Sequence, residues 1–138
     1  MSIVQTQTTS FKKELYQAVH NLATDTLKIA LYTANVDLNA DTTVYSSVNE
    51  VVASGYTAGG NTLTGVAISS SDYTAYVNWA NTSWTSALTA RCALIYNVTQ
   101  GNKSIAVLDF GSDKTSTATF TITMPSNTST TALIRSSN

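Results

Sequence analysis

In residues 116–124, STATFTITM, the apolar side chains Ala118, Phe120, Ile122 and Met124 alternate with Thr117, Thr119, Thr121 and Thr123. Successive side chains of a β-strand point to opposite faces, so this period of two specifies a strand with one apolar and one hydroxylated face. The period recurs. In TLKIALYT, Leu27, Ile29 and Leu31 face one way and Lys28, Ala30 and Tyr32 the other, which predicts a strand with one clear core face. Strand-like runs follow at NTLTGVAI, DYTAYVNWA, LTARCALIYNV and KSIAVLDFG. The abundant threonine agrees, because its branched Cβ favours a pleated, half-exposed surface.

One segment breaks the pattern. Phe11, Leu15, Val19 and Leu22 recur every three or four residues, which predicts an amphipathic helix over about residues 10–23 capped by Ser10, with Lys13 where a capping box places Glu or Gln. Residues 1–9 carry no charged side chain and read as an extended arm that need not pack on the rest. QGNK at 100–103 and GSDK at 111–114 read as hairpin turns, and Pro125 ends the threonine-rich strand because it has no N–H for a ladder. Strands in series without intervening helices pair antiparallel. The expected fold is mainly β: an antiparallel β-sandwich, the jelly roll being one such arrangement, with one N-terminal α-helix, as a single domain over residues 10–138.

A chain of 138 residues can bury one core without a metal or disulfide staple, and the lone Cys92 has no partner within the chain. A formal charge of −1 with 11% charged residues gives no basic excess for a nucleic-acid backbone. Such a surface offers little repulsion between copies, which suits assembly. Residues 1–13 lack the apolar run of a secretory signal, and no apolar segment approaches the ~20 residues of a membrane-spanning helix. The Asn-x-Ser/Thr triplets at Asn81, Asn97, Asn102 and Asn127 read as the yield of an Asn-, Ser- and Thr-rich chain.

The motifs that would carry chemistry fail on spacing. GYTAGGNTLTG, residues 55–65, holds four of the six glycines, but no lysine follows and what comes next is strand-like. It reads as a loop between strands with positive φ at Gly59 or Gly60, packed down by Tyr56, and not as a phosphate cradle. Asp37, Asn39 and Asp41 match the first three ligands of a calcium loop, yet Thr42 stands in place of the turn glycine and Val48 in place of the bidentate glutamate, with Glu50 two residues late. His20 is the only histidine, on the polar side of the helix, and no G-x-S-x-G elbow accompanies the serines. Cys92 shares a strand face with Leu88, Ala90, Leu94 and Tyr96 and reads as buried packing. Asp109-Phe110-Gly111 reads as a strand end, one His with one Cys leaves no zinc set, and no spacing recommends any pair of the eight acids. No catalytic residue, cofactor or metal is expected. Tyr73 and Tyr76 bracket a strand, and Trp79 and Trp84 fill the core or else serve an interface.

Taken in order, SFKKELYQAVHNLATDTLKIALYTANVDLNADTTVY, NEVVASGYTAGGNTL, ARCALIYN and VLDFGSDK closely resemble a group of small proteins encoded among the structural genes of tailed bacteriophages, over roughly residues 11–135. The resemblance implies a non-enzymatic virion protein. Within that group it implies a cement or decoration protein on the outer capsid surface, made in the host cytoplasm. Its partners would be the major capsid protein and other copies of itself, with no nucleic acid, membrane or small-molecule substrate. A tail or fibre component that contributes to host-surface binding is the alternative. On this expectation the interface residues are Ile3, Val4, Gln5 and Thr6 of the arm, with Tyr56 and Trp84.

Overall fold

The alternating segments form strands and pair antiparallel. A computed structural model describes residues 2–137. In chain order the elements are β1 (Thr6–Gln7), α1 (Thr9–Tyr16), β2 (Leu27–Tyr32), β3 (Asn61–Thr62), β4 (Ala67–Ser71), β5 (Thr74–Asn78), β6 (Thr82–Trp84), β7 (Thr89–Asn97), β8 (Lys103–Thr115), β9 (Phe120–Ile122) and β10 (Ile134–Ser137). The large sheet runs β1-β8-β7-β2-β3, a smaller one β10-β5-β4, and β6 pairs with β9. One face of the large sheet, with Leu27, Ile29, Leu31, Ala93 and Ile95, packs in a single core with Val77, Trp79, Trp84, Phe120 and Ile134 from the smaller sheets. This gives the sandwich-like layering expected of strands with one apolar face. The division into five, three and two strands is not the equal one of a jelly roll.

The second face of the large sheet is also buried, which LKIALYT does not predict. Ala30, Tyr32, Cys92, Leu94, Tyr96 and Val107 form a separate cluster, covered by Val36, Leu38, Tyr45 and Ile3. The polar-looking stretch after β2 is thus a lid on the sheet. Cys92 lies in this cluster while Leu88 and Ala90 lie in the main core, so they do not share a face. The reason is a bulge. Between the pairs Ala90–Lys114 and Cys92–Asp109, Arg91 alone opposes residues 110–113, and the side-chain parity of β7 reverses there. GSDK is accordingly no hairpin turn but part of this bulge, which carries Phe110 onto Phe120 at 6.1 Å between ring centroids. QGNK does close a hairpin, joining β7 to β8 with Gly101 and Asn102 at positive φ.

The helix is shorter than its apolar spacing predicts and begins earlier. Thr8, not Ser10, caps it, accepting from the Phe11 N–H. It stops after Tyr16 in a left-handed turn: Ala18 has φ +57°, and the N–H groups of Ala18 and Val19 donate to the carbonyls of Leu15 and Glu14. Glycine usually fills such a position, so an alanine there gives no stop signal to read. The arm is extended but engaged with its own domain. The Val4 N–H donates to the Leu38 carbonyl, β1 pairs with Ala106 and Val107 of β8, and the Thr8 N–H donates to the Ile105 carbonyl. Hydrogen-bond groups left open along β8 explain why an uncharged polar segment docks there.

Candidate functional site

Among the described residues, the buried polar side chains include one acid and one imidazole, in two separate places. The first is Glu50, only 6% exposed. A turn with Asn49 at φ +62° brings Glu50 into an antiparallel bridge with Tyr32, so its side chain enters the protein beside the large sheet. The Tyr45 hydroxyl donates to Oε1 at 2.6 Å, the Gly59 N–H donates to Oε2 at 2.8 Å, and the Tyr56 hydroxyl also donates to Oε2. The Tyr56 oxygen in turn accepts from the Leu31 N–H at 2.9 Å, and the Tyr96 hydroxyl donates to the Gly59 carbonyl at 2.6 Å. Burial, followed by the Glu50 charge, pushes the Tyr96 phenol up to about 12. Burial also raises Tyr32, Tyr45 and Tyr56, with Glu50 adding to each. These phenols stay protonated and donate, which makes the cluster a fastening and a poor source of nucleophiles.

What it fastens is the glycine-rich loop. Gly59 and Gly60 both have positive φ, +98° and +80°, and a Cβ on Gly60 would overlap the Ile29 carbonyl. Glycine at 60 therefore lets β3 lie against β2, while Tyr56, beneath the loop, packs on Trp84 at 5.9 Å.

The second place is His20, whose side chain is wholly enclosed. Its Nε2 lies 2.8 Å from Glu14 Oε1, and its Nδ1 lies 2.9 Å from Nδ2 of the buried Asn97. The same Nδ2 donates to Asp25 Oδ2 at 2.8 Å. Burial works against the Asp25 charge, yet hydrogen bonds from the Asn21 amide, Asn97 and Gln100 outweigh it and hold the carboxyl below its ordinary value. The two ring nitrogens face Glu14 and Asn97, so the arrangement orients a ring without presenting it to a nucleophile.

The sequence-expected interface residues do not come together. Trp84, 3% exposed, and Tyr56, 8% exposed, are core residues, because each ring completes the contact between the glycine-rich loop and β9. Ile3 packs half-buried on the second cluster and Thr6 sits in β1 opposite Val107. Gln5 accepts from the Asp109 N–H at 3.1 Å, and Val4 is left 47% exposed. Asn39 accepts from the Asp41 N–H at 2.9 Å and Asp37 accepts from the Ser2 N–H, an arrangement of turns and not of convergent ligands. The Cys92 thiol is pushed up to about 12, first by burial and then by Asp109, against a smaller opposing pull from Arg91. Among the described residues, no group of three or more His, Cys, Asp or Glu side chains could hold a metal ion.

Two surface features remain. An open groove of about 560 Å3 lies between the end of β8 and β9, floored by Leu108, Phe110, Phe120, Ile122, Met124 and Leu133 and rimmed by threonines. The β4–β5 hairpin turns through Asp72 and Tyr73, both at positive φ, and holds Tyr73 94% exposed at its tip. All five residues of β4, at the edge of its sheet, are exposed, and they include no charge and no proline. Among the described residues, no helix is long and apolar enough to cross a membrane. The chain matches no protein family, no curated protein and no solved structure.

Proposed function

We propose that this chain is a non-enzymatic structural protein of a tailed-phage virion, acting as a cement or decoration protein on the outer capsid surface. The observation that carries the reading beyond the sequence resemblance is where the interior polarity goes. Glu50, His20, Asn97 and the tyrosines are bonded to the chain's own loops, helix and sheet, which supports a rigid block around a doubly buried sheet. A protein that resists deformation of a shell needs that stiffness and contacts of its own kind. The exposed, uncharged β4 edge supports the second requirement, since native edges are usually guarded by charge, proline or a bulge. Weak pairing between copies is multiplied when many are held on one lattice.

Quantitative peptide mass spectrometry of purified virions tests the proposal: a copy number commensurate with the capsomers is expected, and absence from the particle refutes it. A second reading, a tail or fibre component that touches the host surface, is favoured by the fully presented Tyr73 ring. It predicts a copy number commensurate with the tail instead, and binding to a host-surface glycan that Tyr73→Ala abolishes with the fold intact.

A further inference from the structure

We infer that a proton on His20 operates a latch between residues 17–22 and the large sheet. The orientation of the Asn97 amide is fixed by two neighbours of unambiguous character. The Gln100 N–H can only donate, and it faces Oδ1 at 3.2 Å; the Asp25 carboxylate can only accept, and it faces Nδ2 at 2.8 Å. The remaining hydrogen on Nδ2 therefore points at His20 Nδ1, 2.9 Å away, and Nδ1 must offer a bare lone pair. The ring proton sits on Nε2, where it is donated to Glu14 Oε1. The neutral Nε2–H tautomer is thus the form that the fold accepts.

A second proton sets the Nδ1–H against the Asn97 NH2 group, donor facing donor. Asn97 cannot answer by flipping, because a flip would turn its NH2 on the Gln100 N–H and its oxygen on the Asp25 carboxylate. The ring must part from Asn97. The charged groups that face the imidazole are Glu14 from α1 and Asp25 from the turn before β2, both of which accommodate the new positive charge locally. On the far side of Asn97, Lys103 is held by the Gln100 carbonyl. Phe11 packs on the ring, and the facing wall of Ile68, Tyr76, Val77, Ile134 and Ser136 brings no acid or base other than the Tyr76 phenol. Protonation therefore cuts a tether while leaving the sheets intact. The segment released forms one wall of an apolar cleft of about 400 Å3, whose other wall is β4, β5 and β10, so acidification loosens the helix end and widens that cleft.

The single histidine makes the test direct. Long-range proton–nitrogen correlations of the imidazole are expected to show the Nε2–H tautomer while the ring is neutral. On acidification, hydrogen-exchange protection of residues 18–22 is expected to fall in step with the ring shifts, while β7, β8 and Asp25, still bonded to Asn97, keep theirs. His20→Asn, whose Oδ1 can stand in for Nδ1 as an acceptor but takes no second proton, is expected to hold the segment protected over the same range. An Nδ1–H tautomer, or protection of residues 18–22 that survives full protonation of the ring, overturns the inference. Both results are read on the wild-type chain, so they decide the matter even if the variant fails to fold.

Discussion

Replacing Glu50 by Gln keeps the size of the side chain and removes its charge. Three donors converge on the carboxylate, and the Gly59 N–H can do nothing but donate, so the amide oxygen must serve Gly59 and Tyr56 while the NH2 faces the Tyr45 hydroxyl, which turns its hydrogen away and accepts. Hydrogen bonds to a charged group contribute about 1.5–3 kcal/mol and neutral ones about 0.5–1.5 kcal/mol, so three bonds that each weaken by about 1 kcal/mol remove roughly 3 kcal/mol. Relief from burying a charge returns about 1 kcal/mol, for a net destabilisation of about 2 kcal/mol. With an m-value of about 2 kcal/mol/M, the urea midpoint should fall by about 1 M. Tryptophan fluorescence is a suitable probe, because Trp79 and Trp84 are both buried and Trp84 touches Tyr56. Hydrogen exchange should show residues 55–63 losing protection first. Glu50→Ala, which removes every acceptor, should cost more, about 4 kcal/mol. A Glu50→Gln midpoint that is unchanged or raised would refute the reasoning, since desolvating the carboxylate would then outweigh its three bonds.

Alkaline pH should act on the same cluster. A phenol whose folded pKa is raised contributes stability that is complete below the unfolded value near 10 and is lost as pH climbs towards the folded value. For the buried Tyr32, Tyr56 and Tyr96 together the loss at about pH 11 is on the order of 4 kcal/mol, and urea midpoints that stay level to that pH would contradict it. Gly60→Ala forces a Cβ onto the Ile29 carbonyl at φ +80° and should destabilise by more than about 3 kcal/mol, read as loss of soluble folded protein. Ala18→Gly relieves the left-handed conformation at the helix end and should stabilise by about 0.5–1 kcal/mol after the greater freedom of unfolded glycine is subtracted, as a higher thermal midpoint.

Much of the fold is legible in side-chain period. β2, β7, β8 and β9 lie where alternation places them, and Phe120, Ile122 and Met124 point inward as their spacing requires. Local pattern is enough there because one face of each strand meets a core. β6 and β10 escape the pattern: three and four residues long, they have too few positions to display a period. The helix end escapes because it has no glycine or proline to mark a break, and at the bulge Gly111, at positive φ, reads as a hairpin turn although the strand continues past it.

The sequence by itself determined that this chain is mainly β, that it has one helix near its start, and that GYTAGGNTLTG opens as a glycine-supported loop. These are consequences of near-neighbour sterics and solvent exposure, which act through a few residues at a time. Only the tertiary structure decided where the arm lies, that both faces of the large sheet are buried, and that Glu50 and His20 are the polar centres. Each of those depends on partners far along the chain: Val4 with Leu38, Glu50 with Tyr32 across a bridge, His20 with Asn97. A lone glutamate between Asn49 and Val51 or a lone histidine after a helix has no local signature. Its role is set by which donors the folded chain brings to it.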